Sequence, residues 1–260
     1  MIEMHQVSHF VRYSSGAPES RSAEIAIESE VTLSVNSVAW LSFRCSPENL
    51  EALVTGYLYN ESFIQSAEEI ASIHICEQRD HMDVWLQHAV RKPDTWSRTS
   101  GCQGGVTQPG SGSILPVINP ICYAISDILL QVDCFLTALN KPDFPQQGMH
   151  TTMLLDKNEV KSVSNDIGRH NTLDKIAGDC LLKPIHLSEP VLITTGRISS
   201  EMVYKTARMN VPLAISLHSI SHMAIKAADT LGITLVGHAR RSQIDIYSHP
   251  ERVITTSRSE

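Results

Sequence analysis

"PVLITTGRISSEMVYKTARMNVPLAISLHSISHMAIKAADTLGITLVGHAR", residues 190–240, decides the fold class. Three nearly continuous apolar runs, PVLITTG, VPLAISL and ITLVGHAR, alternate with two stretches of helical period. A strand apolar along its whole length suits a sheet covered on both faces. The first helix, SSEMVYKTARMN, opens behind Ser199 or Ser200, either of which suits an N-cap. The second, SISHMAIKAADTLG, stops at Gly232, a residue at ease in the left-handed conformation that ends helices. Its Ile220, Met223, Ala224, Ala227, Ala228 and Leu231 are predicted to face inward.

Working outward, TTMLLD and EVKSVSND read as strands around a turn at Lys157-Asn158, and RHNTLDKIAGDCLL as a helix burying Leu173, Ile176, Ala177, Cys180 and Leu181. QIDIYS adds a last strand. The ββαβαβαβ order predicts an α/β fold, a three-layer α/β/α sandwich over residues 145–254. A smaller α+β domain is expected over 24–140. There EIAIESEVTLSVNSVAWLSF gives two or three strands with a turn near Asn36. A helix follows with Ser46 as N-cap, Pro47 at N1, Glu48 in its first turn, and Leu50, Leu53, Val54, Tyr57 and Leu58 on its buried face. IASIHICEQ and MDVWLQHAV are two more strands. A Gly/Ser/Pro-rich loop spans 97–120, and a helix opens after Asn119-Pro120 with a stripe from Ile121 to Leu139. Residues 1–22, polar and aperiodic, are expected to form a loose arm.

Composition narrows the class of function. The 260 residues carry a net charge of −7, so the basic footprint of a nucleic-acid binder is missing. No apolar run of about 18 residues predicts a membrane span, and the N-terminus lacks the pattern of a signal peptide. A soluble, cytoplasmic protein is expected. Its cysteines, Cys45, Cys76, Cys102, Cys122, Cys134 and Cys180, show no disulfide-framework spacing and are expected to be reduced.

Three strand ends carry polar clusters on the side where sheets of this kind bind ligands. SNDIGRHNTLDK gathers Asp166, Gly168, Arg169, His170 and Asn171; TTGRISSEM gathers Thr195, Gly196, Arg197, Ser199 and Glu201; VGHARRSQ supplies His238, Arg240 and Arg241. Arginines and backbone N–H groups at three neighbouring turns suit an anion or nucleotide; a single such cluster would equally suit the capping of a sheet edge. His218 and His222 lie four apart but have no third ligand, so no metal site is expected. The H-x-E/P-C-x-x-C zinc signature of deaminases is absent, as are the P-loop, GxGxxG and GxSxG patterns. Five cysteines sit within strand or helix patterns and read as packing residues. Cys102, in RTSGCQGGVTQPGSGSILP (98–116), has no apolar cover. It is either an incidental thiol or a nucleophile or sulfur carrier on a mobile loop.

Three stretches carry a resemblance: SNDIGRHNTLDKIAGDCLL, TTGRISSEMVYKTARMNVPLAISLHSISHMAIKAADTLGITLVGHAR and VTLSVNSVAWLSFRCSPENLEALVTGYLYNESFI. They resemble the FdhD/NarQ family, accessory proteins required for formate dehydrogenase activity, over about residues 24–250. The resemblance implies a cytidine-deaminase-like fold without zinc. It implies a sulfurtransferase in which a cysteine desulfurase loads a persulfide onto a loop cysteine. The sulfur then passes to the molybdenum cofactor, a bis(molybdopterin guanine dinucleotide) that GDP partly mimics, bound as substrate between the subunits of a homodimer. Cys102 matches the sulfur-carrying cysteine of the family's G-C-G-x-C-G loop, whereas Gly105 stands at the second cysteine position. QQGMH keeps Gly148 and His150 of a T-G-G-x-H stretch. The cofactor segment F-x-R corresponds to His238, Ala239, Arg240, Arg241, Ser242 and Gln243, with His238 replacing the aromatic. With these, Asp166, Arg169, His170, Asn171 and Arg197 are the expected cofactor-cleft residues. The expected partners are the desulfurase and formate dehydrogenase. The rivals are a non-catalytic cofactor-binding chaperone and, more remotely, a metal-free deaminase-like enzyme.

Overall fold

A computed structural model describes residues 5–93, 97–98, 106–107, 118–141, 148–183 and 185–255. The apolar runs of the second half form one six-stranded sheet of order β11-β10-β12-β13-β14-β15. Its strands are β10 (His150–Asp156), β11 (Glu159–Asp166), β12 (Pro190–Thr194), β13 (Leu213–Ser216), β14 (Thr234–Arg240) and β15 (Gln243–Ser248). The central strands β12, β13 and β14 are parallel, and β10, β11 and β15 run antiparallel to their neighbours. Lys157 and Asn158 make the β10–β11 turn with positive φ values of 48° and 68°. The two faces of the sheet explain its apolar sequence. Leu154, Leu192, Ala214 and Leu235 pack under α3 (Arg169–Leu182), α4 (Ser200–Arg208) and α5 (His222–Leu231). Their neighbours Met153, Val191, Ile193, Leu213, Ile215 and Val236 face the opposite way, onto Ile128, Val132 and Phe135 of α2 (Ile125–Leu139). This is the three-layer α/β/α sandwich. Helix α2 completes it, although in sequence it belongs to the 24–140 stretch.

The first half contributes a four-stranded sheet of order β4-β3-β6-β5, built from β3 (Ser29–Val35), β4 (Val38–Cys45), β5 (Ile70–Ile75) and β6 (His81–Leu86). Asn36 and Ser37, both with positive φ, form the predicted turn. Helix α1 (Leu50–Asn60) buries Leu50, Leu53, Val54, Tyr57 and Leu58 in that sheet's core. Its opposite side meets α3 so closely that a Cβ on Gly56 would overlap the Asp174 carbonyl, and one on Gly178 the Ala52 carbonyl. The two sheets are thus joined through a helix pair with glycines at the contact.

Four expectations are corrected. Helix α1 starts at Leu50, not at Pro47, with Asn49 in the left-handed region. Ser46 is taken elsewhere, since its hydroxyl accepts from Ile167 N and its amide donates to Asp166. Residues 1–22 are not a loose arm throughout: β1 (His5–Arg12) and β2 (Glu19–Ala26) pair as an antiparallel ribbon. Almost every side chain of that ribbon is exposed, so burial leaves no periodicity to read. Helix α2 begins at Ile125, because Tyr123–Ala124 form a short strand, β9, paired with β16 (Val253–Ile254). Met223 is 60% exposed on α5, whose buried residues are Ala224, Ala227, Ala228 and Leu231. The Gly232 stop has φ 73°, as expected of a helix-ending glycine. No helix among the described residues is long and apolar enough to cross a membrane.

Candidate functional site

The strand directions bring the three polar clusters to one margin of the sheet. β11 ends at Asp166 beside the start of β10, where His150 pairs with Asp166, and β12, β13 and β14 end on the same side. Glycines let the loops there touch. A Cβ on Gly196 would lie 2.9 Å from the Cβ of Arg169, and one on Gly237 would lie 2.8 Å from Ile220 and Tyr247. Ser216 donates its hydroxyl to the Gly196 carbonyl at 2.6 Å, and His238 N donates to the His218 carbonyl at 3.0 Å. Arg169, Arg197, His218 and His238 therefore follow one another on adjoining loops along the ends of the parallel strands.

The first cluster spends much of its polarity inward. Asp166 is fully buried; its carboxylate accepts from Gly168 N, Asn171 Nδ2 and Ser46 N and pairs with Lys175 Nζ at 2.6 Å. Asn171 also donates to the Arg44 carbonyl. These two residues hold the β11–α3 turn rather than face a ligand. Arg169 is buried against Gly196. His170 is buried with Nε2 3.3 Å from Ser199 Oγ and 3.2 Å from Glu201 Oε2. Burial is the main cause holding its pKa below the ordinary 6.5, and the contact with Glu201 opposes the shift. His150 is lowered too, first by burial and then by the Arg169 charge.

The other two clusters are more open. Arg197 is exposed and makes no ion pair among the described residues. Ala239 is fully buried in the core against α2. Arg240 donates to the carbonyls of Leu217 and Ala239, and Arg241 pairs with Asp133 of α2. Ser242 and Gln243 are exposed at the β14–β15 turn. His238 is half-exposed, with Nδ1 3.1 Å from Asp245 Oδ2 and 3.0 Å from Tyr247 Oη. His218 and His222 are exposed, and no group of three or more His, Cys, Asp or Glu among the described residues could hold a metal ion.

Cys102 and Gly105 lie outside the described residues. The segments on either side, β7 (Ser97–Arg98) and β8 (Val106–Thr107), pair antiparallel. Among the other cysteines Cys45 is buried; burial pushes its pKa to about 12, with the Asp166 charge adding to the shift. Burial raises Cys180 to about 11. Cys76 donates to Asp80 at 2.9 Å. Cys122 and Cys134 are exposed, against the expectation that they pack; Cys134 lies off the Ile128–Val132–Phe135 face that α2 turns to the sheet.

The sequence reading missed Asp245, Tyr247 and Lys175. The first two were within reach: they are two apart in QIDIYS, hence on one face of a strand next to the one bearing His238. Lys175 reads as a solvated helix charge, and only its tertiary partner shows otherwise.

The FdhD/NarQ family model matches residues 26–254. The chain is 32% identical to a sulfur carrier protein FdhD of Staphylococcus haemolyticus, covering 96% of this chain and 97% of that one. It is 30% identical to the sulfur carrier protein FdhD of Bacillus subtilis, covering 93% and 95%. In structure it is similar to a protein of Desulfotalea psychrophila described as a formate dehydrogenase accessory protein, with TM-score 0.80, 26% identity, and 97% of this chain and all of the other covered. With the match running through both sheets and the whole polar margin, this chain belongs to the FdhD/NarQ family.

Proposed function

We propose that this protein is a cytoplasmic sulfurtransferase that carries persulfide sulfur on Cys102 from a cysteine desulfurase to the molybdenum cofactor of formate dehydrogenase. The Cys102 thiolate attacks the terminal sulfur of the desulfurase persulfide; that S–S bond breaks, the desulfurase thiolate leaves, and the Cys102 persulfide forms without net redox change. Delivering the sulfur as sulfide takes two electrons. With Gly105 at the second cysteine position, two external thiol groups supply them: the first attacks Cys102 Sγ and releases the outer sulfur as sulfide, leaving a mixed disulfide that the second reduces to the Cys102 thiol and an external disulfide.

The observation that carries this reading is the polar margin running from Arg169 and Arg197 to His238, in a chain whose relatives are named sulfur carriers. A bis(molybdopterin guanine dinucleotide) presents several phosphates. Arg197 is the exposed cation to meet one of them, and α3 opens at Gly168 with no side-chain cap on its first amides. Arg240, Ser242 and Gln243 border the same margin, Arg169 and His170 form its floor, and Asp166 and Asn171 shape it. We place the cofactor between two copies of the chain, with GDP as its partial mimic. The test is incubation of the purified protein with a desulfurase and cysteine, followed by intact-mass and peptide mapping. One added sulfur on Cys102 is expected. GDP binding without any added sulfur would instead favour a cofactor-binding chaperone.

A further inference from the structure

β1 and β2 form a sheet of their own, paired in unbroken register from His5 opposite Ala26 to Arg12 opposite Glu19. Neither strand packs extensively on any other strand or helix. A two-stranded ribbon on its own is marginally stable in water, and a further strand or a covering layer is what secures one. This ribbon also holds apolar side chains outward: Val7, Phe10, Val11, Tyr13 and Ile25 are all exposed.

Its two open edges differ. β2 carries Glu19, Arg21 and Glu24, charges of the kind that blunt an edge. β1, HQVSHFVR, has no proline, lysine, acid or bulge, and Arg12 stands at its very end. Its outward N–H and C=O groups are thus an unprotected template for another strand. The edge is also complementary to itself. In an antiparallel pairing centred on His9, Val7 of each copy stands opposite the partner's Val11, and Arg12 meets the partner's Gln6 rather than a like charge. A two-fold axis uses the same edge on both chains and so closes the assembly there. The ribbon springs, moreover, from the polar margin. A Cβ on Gly148, two residues before His150, would lie 3.9 Å from the Ala26 Cβ.

We infer that the β1 edge is a contact between two copies of this chain, pairing antiparallel with β1 of the second copy to make a four-stranded sheet across the two-fold axis. The inference rests on the reading that two copies hold the cofactor between them.

The experiment is sedimentation equilibrium of the full-length protein, with hydrogen exchange followed by mass spectrometry on peptides covering residues 5–26. Wild type is expected to be a dimer whose β1 amides are protected and lose that protection on dilution to the monomer. The double variant Val7→Lys, Val11→Lys leaves the ribbon's own pairing intact, because positions 7 and 11 face Glu24 and Ser20 within it. It is expected to weaken dimerisation by roughly a hundredfold and to release the β1 amides, with unchanged circular dichroism. A dimer of undiminished stability in the double variant would overturn this contact and leave the two-copy reading of the cofactor standing. A wild type that is monomeric with and without GDP would overturn both. A monomer whose β1 becomes protected only when a desulfurase is added would assign the edge to that enzyme instead.

Discussion

Lys175 Nζ lies 2.6 Å from Asp166 Oδ2, with both side chains sealed from solvent. The same lysine donates to the Ser46 carbonyl, so the pair ties the end of β11 to α3 and to the end of β4. A second buried pair, Lys205 with Asp174 at 2.6 Å, joins α4 to α3, and Asn60 of α1 donates to the same Asp174. Much of the DIGRHNTLDK stretch, residues 166–175, is therefore a scaffold that fixes the loops of the candidate site. Lys175→Met, which leaves Asp166 buried and unpaired, is expected to cost about 3–5 kcal/mol. Urea unfolding followed by circular dichroism measures it, and a loss below 1 kcal/mol would show that the pair does not hold the turn.

The α1–α3 contact depends on two missing side chains. Gly56→Ala and Gly178→Ala each push a methyl into a backbone carbonyl of the other helix, which neither helix can yield without separating. Each is expected to destabilise by about 1–3 kcal/mol or more, the range of overpacking. Equal or higher melting temperature in either variant would contradict the packing.

His170 carries a pH signature. Its pKa is lowered in the folded state, chiefly by burial, so below the ordinary value of 6.5 the unfolded chain binds the proton first. Stability is accordingly full above pH 6.5 and declines as pH falls, until the folded pKa is reached. The slope contributed by one such group is at most about 1.4 kcal/mol per pH unit. His170→Gln is expected to flatten the decline between pH 6.5 and 5 in urea titrations. An unchanged slope would assign the decline to His150 or to other groups.

Arg197 is exposed and without an ion pair among the described residues, so its removal leaves no buried partner stranded. Arg197→Ala is expected to retain the wild-type melting temperature while weakening GDP binding by about 1.5–3 kcal/mol, the range for hydrogen bonds to charged groups. The difference should shrink as salt rises. Unchanged GDP affinity would remove Arg197 from the ligand margin.

What the sequence conveyed followed the strength of its periodic signals. Strands buried on both faces are apolar throughout, and PVLITTG and VPLAISL were legible for that reason; α3 was read at its actual bounds, Arg169–Leu182. The Ser46-Pro47 cap failed because local propensity lost to a tertiary demand: the Ser46 hydroxyl serves the β11–α3 turn 121 residues away in sequence. That the three polar clusters share one margin of the sheet was legible, but their contacts were less so. Asp166, Arg169 and Asn171 look alike as polar letters, and only burial separates a scaffold carboxylate from an exposed cation such as Arg197.

Cys102 is the residue on which the proposed sulfur transfer turns. Only a thiolate attacks a persulfide efficiently, and burial that raises Cys45 to about 12 and Cys180 to about 11 leaves both thiols protonated at neutral pH. Cys76 donates its thiol hydrogen to Asp80. Cys122 and Cys134 are exposed and are the internal controls for adventitious loading. Cys102→Ser is expected to keep the fold and GDP binding yet fail to restore formate dehydrogenase activity in a strain lacking its own accessory protein. Cys122→Ser and Cys134→Ser are expected to restore it. With Gly105 in place of a second loop thiol, the loaded persulfide has no adjacent partner to discharge it as a disulfide, so the added sulfur should persist until an external thiol is supplied. Restoration of dehydrogenase activity by Cys102→Ser would end the sulfur-carrier reading and leave the cofactor-binding chaperone in its place.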